Sequence, residues 1–171
     1  SEASPSPPSN LSSDSSSESD LESTFDVHEE VARGGMGIIY RGFHRRLQRV
    51  CAIKVLQAVS DEDLALKRFI KEARIVCSFD HINIVKIFTV GVNKAKSPYF
   101  AMEWLDGQSL DSLMEKEGRM NIQLFKDIFS QVLSAVDYAH SMNIIHRDIK
   151  PSNIFLVKDE SGRLQVKLLD F

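Results

Sequence analysis

The segment His146-Arg147-Asp148-Ile149-Lys150-Pro151-Ser152-Asn153 places an acid, two bases and an amide within eight residues. Transfer of a phosphoryl group needs a group that orients the attacking hydroxyl, a cation for the travelling phosphate and an oxygen ligand for a divalent metal. Asp148, Lys150 and Asn153 supply these three in order. A polar loop carrying all of them at this spacing by chance is improbable. Asp170, at the end of a strand-like run, adds a hard carboxylate suited to magnesium.

Two further constellations lie upstream. Arg33-Gly34-Gly35-Met36-Gly37 falls between two strand-like runs. Phosphates need close backbone approach and exposed N–H donors, and glycine permits both, although ligand-free glycine-rich hairpins are common. Lys54 stands in the apolar run Ala52-Ile53-Lys54. A lysine there is costly unless its ammonium finds a partner or snorkels from a strand edge. Its partners would be a phosphate and Glu72, which sits between Phe69 and Val76 on the apolar side of the following helix.

The elements that must position these groups are readable from periodicity. Phe25 to Val31, Ile38 to Tyr40, Val50 to Leu56, Ile84 to Val92 and Tyr99 to Trp104 read as strands, with a helix from about Asp61 to Phe79. That is a small sheet with one helix packed on it. The second half is helical, with a short helix over Leu110 to Lys116 and a long one over Ile122 to Ser141. Phe125, Ile128, Phe129, Val132, Leu133 and Val136 form the long helix's apolar face. After the polar loop come two brief strands, Ile154 to Val157 and Gln165 to Leu169, joined by a turn at Glu160-Ser161-Gly162.

Residues 1–24 are of different composition, rich in serine, proline and acid with few large apolar groups. Such a stretch buries too little surface to offset its ordering entropy, and it reads as a disordered tail. The net charge of −3 gives no basic surplus for nucleic acid. Cys51 and Cys77 lack metal-like pairing and read as two buried thiols of a reducing compartment. No run approaches the roughly 18 apolar residues of a membrane span, and the N-terminus lacks the pattern of a signal peptide.

Taken in order, these motifs resemble the eukaryotic-type serine/threonine protein kinase domain over residues 25–171, and the Gly-Gly-Met-Gly wording is similar to its bacterial branch. The resemblance implies an α+β, two-lobe fold. Its small lobe, 25–101, would hold a five-stranded antiparallel sheet plus one helix. A hinge over 102–107 would lead to a partial, mainly helical large lobe over 108–171. It implies ATP and Mg²⁺ as nucleotide and metal, and a protein Ser/Thr hydroxyl as acceptor. Gly34, Gly35 and Gly37 would cradle phosphates. Ile39, Ala52 and Phe155 would enclose the adenine, with Met102 as gatekeeper and the Glu103-Trp104-Leu105 backbone as its hydrogen-bonding hinge. Lys54 would hold the α- and β-phosphates with Glu72 as partner, Asp148 would be the catalytic base, Lys150 the serine/threonine mark, and Asn153 and Asp170 the metal ligands.

Three departures stand out. Ala32 occupies the first loop-glycine position. Asp148 and Asp170 are further apart than usual by about four residues, which a longer hairpin at Lys158 to Gln165 would absorb. The sequence ends at Phe171, within the Asp-Phe-Gly motif, so the expectation is a truncated domain of weak or no activity by itself. A cytoplasmic location, or the cytoplasmic side of a longer membrane protein, goes with this reading. The competing readings are a truncated non-catalytic ATP-binding or scaffold module, and a small-molecule phosphotransferase, which would usually lack Lys150.

Overall fold

The computed structural model describes residues 21–35, 37–56, 70 and 73–171. The chain runs through α1 (Leu21–Thr24), β1 (Phe25–Gly34), β2 (Gly37–His44), β3 (Arg49–Leu56), β4 (Ile87–Val92), β5 (Pro98–Glu103) and β6 (Gly107–Ser109). Then follow α2 (Leu110–Glu117), α3 (Ile122–Ser141), a 3₁₀ turn (Pro151–Asn153), β7 (Ile154–Lys158) and β8 (Leu164–Leu168). Residues 73–77 are also helical. Most of the tail and most of the helix expected at 61–79 lie outside the described residues, as does Glu72.

Five strands form one sheet in the order β1-β2-β3-β5-β4, with every neighbouring pair antiparallel. Its two faces differ in character because side chains alternate along a strand. On one face Phe25, Cys51, Ile53, Tyr99 and Ala101 form a buried core. Leu21 joins them, so the last four residues of the compositional tail, Leu21–Thr24, are a helical turn anchored by one leucine. The other face carries Ile39 opposite Lys54, and Ala52 opposite Met102. Opposed residues of an antiparallel ladder share a face. This face therefore presents Ile39, Ala52, Lys54 and Met102 together.

A second sheet, β6-β7-β8, packs against α3. Asn121 caps α3, its Oδ1 accepting from the Leu124 N–H at 2.8 Å. The stripe that α3 buries is Ile128, Val132, Ala135 and Ala139. Phe125 and Leu133 were expected on that face, but they are 45% and 66% exposed. Side chains three and four apart stack along one line of a helix. The small residues Ala135 and Ala139 continue that line, letting α3 approach β8 closely, while Leu133 falls off it.

The segment before β4 joins the sheets. The Val85 N–H donates to the Leu168 carbonyl at 3.0 Å, and the Leu168 N–H to the Asn83 carbonyl at 2.8 Å. Ile84 was expected to open β4; it bridges to β8 instead, and β4 begins at Ile87. The β2 strand extends past Tyr40 to His44, where Arg41 and His44 interrupt the apolar pattern but the ladder to β3 continues. Strand β6 had no sequence signal, being Gly-Gln-Ser held by pairing to β7. Among the described residues no helix is long and apolar enough to cross a membrane.

Candidate active site

The polar loop between α3 and β7 is organised by His146, which is 5% exposed. Its Nε2 lies 2.6 Å from the Leu169 carbonyl oxygen, so Nε2 carries the proton and donates. Nδ1 is then the acceptor that the Asp148 N–H meets at 3.3 Å. One imidazole thus fixes both the backbone of Asp148 and the residue preceding Asp170. The sequence reading placed His146 at the head of the polar segment but gave its imidazole no role. The available signal was a histidine two residues before an acid in a loop with no metal-ligand spacing.

Asn153 supplies a second tie. Pro151 opens the 3₁₀ turn that carries it, and its backbone carbonyl accepts from the Leu169 N–H at 2.9 Å. Its side-chain Nδ2 donates to the Asp148 carbonyl at 2.9 Å and to Asp148 Oδ2 at 3.1 Å. With the amide nitrogen committed to Asp148, Oδ1 is the Asn153 atom suited to a hard cation. The Lys150 ammonium lies 2.7 Å from Asp148 Oδ2. That hydrogen bond holds the Asp148 carboxyl below the usual carboxylate range, outweighing partial desolvation, with the Lys150 charge and Asn153 adding to it. Asp148 is therefore an ionised acceptor at neutral pH.

Lys54 reaches the same region from above. Its side chain is 12% exposed, and Nζ pairs with Asp170 Oδ1 at 2.7 Å. The sequence reading paired Lys54 with Glu72, which lies outside the described residues; the Asp170 partnership was not foreseen. Arg147 and Asp170 adopt left-handed backbone conformations, with φ of 65° and 56°. Non-glycine residues visit that region rarely, and strain of this kind concentrates at sites where a side chain must be aimed. Phe171 anchors the end of the segment, its ring edge-on to Phe79 at 5.4 Å and tilted on His146 at 4.5 Å.

A cavity of about 470 Å³ opens between these groups, lined by Lys54, Ile87, Phe100, Met102, Asp170 and Phe171 among others. Gly34, Gly35, Gly37, Ile39, Ala52, Glu103, Leu105 and Phe155 do not line it. Ile39 and Ala52 nonetheless share its sheet face, and Phe155 stands on β7 opposite Lys167. Leu105 is half-buried just beyond β5. The Glu103 side chain turns to the protein itself. Its Oε1 accepts from the Lys86 N–H at 2.8 Å and from Lys167 Nζ at 2.7 Å, joining β5 and β8 to the residue before β4.

The glycine turn is open. A Cβ on Gly34 or Gly35 would meet nothing within 4 Å, whereas one on Gly37 would collide with the Val55 carbonyl oxygen. Gly34 and Gly35 thus leave room for a ligand, and Gly37 allows β2 to approach β3. Ala32 lies in β1 opposite Ile39 with no positive φ, so its methyl adds no backbone strain. The turn between β7 and β8, residues 159–163, lies at the opposite end of the ladder from Asn153 and Asp170. Met36 is outside the described residues.

A sheet-face lysine thus meets the aspartate that follows β8, above a loop where a lysine and an asparagine hold an acid. The chain matches the protein kinase domain family over residues 25–171 and belongs to it. It is 35% identical over 156 residues to the probable serine/threonine-protein kinase PknB of Bifidobacterium longum, covering 86% of this chain and 22% of that protein. It is 38% identical over 149 residues to the serine/threonine-protein kinase Pkn1 of Myxococcus xanthus, covering 86% of this chain and 21% of that one. The chain therefore spans about a fifth of these relatives' length. The crystal structure of the Mycobacterium tuberculosis PknI kinase domain superposes with a TM-score of 0.76 at 24% identity, over 86% of this chain and 59% of that one, and supports the fold. Rad53 1-466 in complex with AMP-PNP superposes with the same TM-score at 27% identity, over 88% of this chain and 39% of that one. The kinase fold and the five-stranded antiparallel sheet expected from the sequence are both present.

Proposed function

We propose that this chain carries the nucleotide-binding and catalytic-loop part of a protein kinase that transfers the γ-phosphoryl group of ATP to serine or threonine hydroxyls. One observation carries the reading: Asp148 is held by Lys150 and Asn153 while His146 and Asn153 both bond the residue next to Asp170. In the transfer, the bond from the γ-phosphorus to the β-phosphate oxygen breaks as a bond to the acceptor oxygen forms. ADP leaves, and the hydroxyl proton passes to the Asp148 carboxylate. Lys150 balances charge on the travelling phosphoryl group, and Lys54 holds the α- and β-phosphates, with Glu72 as its proposed second partner.

The donor set fits a hard divalent ion. Asp170 offers a carboxylate and Asn153 an amide oxygen, and magnesium is usually held by one or two protein oxygens together with substrate phosphates. Asn153 and Asp170 would hold it, and it would neutralise charge on the β- and γ-phosphates. In this division residues 25–101 are the small lobe, 102–107 the hinge and 108–171 the large-lobe part. Ile39, Ala52 and Phe155 would enclose the base, Met102 would set the depth of its pocket, and the Glu103 to Leu105 backbone would bond its edge. A cytoplasmic setting follows from the need for ATP.

The test pairs binding with turnover. A thermal titration with Mg-ATP should raise the melting temperature, because a ligand of the native state stabilises it as its concentration passes Kd. The rise should vanish in Lys54→Met and Asp170→Asn. Phosphate incorporation into a generic acceptor protein should be abolished by Asp148→Asn. A nucleotide-dependent rise without any transfer fits both the weak or absent activity expected of these residues by themselves and a non-catalytic ATP-binding module; transfer by a version extended past Phe171, abolished by Asp148→Asn, would separate the two.

A further inference from the structure

The cleft face of the five-stranded sheet carries one more side chain. Arg41 stands opposite Ala52, and Ala52 opposite Met102, so Arg41 shares the face that bears Ile39, Ala52, Lys54 and Met102. Arg41 lies two residues beyond Ile39, at the end of the face away from Lys54. A cation on an otherwise apolar stretch of cleft needs an electrostatic reason. The structure supplies it in Trp104, whose ring centroid lies 5.3 Å from the Arg41 guanidinium carbon. This is within the range of a cation–π contact, and guanidinium is well suited to stacking on indole.

Each partner is oriented from behind. Arg41 Nη1 donates to Glu29 Oε1 on β1 at 3.4 Å, and Trp104 Nε1 donates to Asp106 Oδ1 at 3.0 Å. The contacts Glu29, Arg41, Trp104 and Asp106 thus run from β1, across β2, to the connector between β5 and β6. They join the hairpin that bears Gly34, Gly35 and Gly37 to the segment just past Met102. Among the hydrogen bonds, ion pairs and ring contacts of the described residues, the Arg41–Trp104 stack is the one that ties this connector to β2.

We infer that the Arg41–Trp104 stack closes the outer mouth of the nucleotide cleft, holding the glycine-bearing hairpin over the connector so that a purine base is enclosed beneath Ile39 and Ala52. The inference rests on the ATP reading above. Arg41 is a positioning residue: it acts through Trp104 and not on the reacting atoms. Its loss therefore weakens nucleotide binding and raises KM for ATP, with kcat unchanged. Trp104 is the chain's single tryptophan, so its emission reports the contact directly.

The experiment uses the full chain, Arg41→Ala and Arg41→Lys, titrated with Mg-ATP by tryptophan emission and by thermal melting. Without nucleotide, Arg41→Ala should shift Trp104 emission. Its nucleotide affinity should fall about 2–5-fold, the range an exposed cation–π contact supports. Arg41→Lys, which keeps a cation over the ring, should recover part of that loss. Where turnover is measurable, the loss should lie in KM for ATP. Nucleotide affinity and emission unchanged in Arg41→Ala, with wild type binding nucleotide normally, would overturn the clamp and leave the ATP reading standing. A parallel fall of kcat and melting temperature in both variants would overturn it in favour of a purely structural contact. No nucleotide response in wild type by either readout would overturn the ATP reading and the clamp with it.

Discussion

Lys54 Nζ and Asp170 Oδ1 meet at 2.7 Å although 116 residues of chain separate them. The pair fastens the cleft face of the five-stranded sheet to the segment just past β8, and its two ends differ in exposure. The Lys54 side chain is 12% exposed and the Asp170 side chain 36%. A lysine so placed holds positive charge at the edge of a cavity where phosphate oxygens would arrive. Lys54→Met should lower phosphoryl transfer by about 10²-fold or more, the usual cost of losing one preorganised charge partner at a reacting group. Fold stability should change little, within about 1 kcal/mol, because Asp170 can recover solvent. Turnover and thermal melting on the same preparations check both halves.

Lys150 tunes the acid it contacts. Its hydrogen bond is the largest influence holding Asp148 below the ordinary carboxylate range. Replacing it with methionine removes that hydrogen bond and the nearby positive charge, so the Asp148 pKa rises. Asp148 is then protonated at higher pH, and the acidic limb of the pH–rate profile moves upward. Lys150→Arg should leave the limb nearer its original place. A limb that stays fixed in Lys150→Met would show that another group governs it.

Much of this site was legible before any coordinates. The spacing of Asp148, Lys150 and Asn153 identified the loop because three kinds of chemistry in six positions is a dense local signal. Met102 was reached only through the family resemblance, and that it shares a face with Lys54 comes from the β3–β5 register, which sets it opposite Ala52. What stayed hidden was non-local. Nothing near Glu103 shows that its carboxylate holds the Lys86 N–H and Lys167, because those partners come from the segment before β4 and from β8. Leu133 looked like core because it is apolar and near the stripe; the two alanines that replace it carry a weaker pattern but allow closer packing. The β6 strand exists only through its pairing, since Gly107-Gln108-Ser109 has no strand propensity of its own.

The glycines of the turn should divide into two classes. Gly37→Ala drives a methyl into the Val55 carbonyl and should destabilise the fold by about 1–3 kcal/mol. Gly34→Ala and Gly35→Ala meet no protein atom, so their melting temperatures should stay near wild type while KM for ATP rises. Melting curves beside ATP titrations separate the classes, and equal destabilisation at all three positions would contradict the geometry.

Glu103 and Lys167 are 27% and 13% exposed at the side chain, and they join β5 to β8 at 2.7 Å. Removing either partner leaves the other poorly solvated. Lys167→Met should cost about 1.5–3 kcal/mol, in the range of hydrogen bonds to charged groups. Glu103→Gln retains an acceptor for the Lys86 N–H and should cost less than Glu103→Ala. A double-mutant cycle across the pair should return a coupling of comparable size; independent effects would place their stabilising role elsewhere.

The β7–β8 turn offers a pH signature separate from the cleft. Asp159 Oδ1 accepts from the Ser161 N–H at 2.9 Å, the Ser161 hydroxyl at 2.7 Å and the Arg163 N–H at 2.9 Å. Gly162 supplies the positive φ of 80° that closes the turn. With the Ser161 hydroxyl contributing most, these donors lower the Asp159 carboxyl from 3.8 to about 2. A carboxyl depressed in the folded state stabilises the fold fully above its unfolded pKa, and the contribution is lost as pH falls through the folded value. The stabilisation should therefore be complete above about pH 4 and disappear toward pH 2. Asp159→Ala should lower the melting temperature at pH 7 and flatten its decline across that acid window, with Asp159→Asn intermediate because its amide oxygen still accepts from the turn. The turn lies at the opposite end of the β7–β8 ladder from Asn153 and Asp170. Nucleotide affinity at pH 7 should accordingly be unchanged in the same variants, and a matching loss of affinity would mean that the turn and the cleft are coupled through β8.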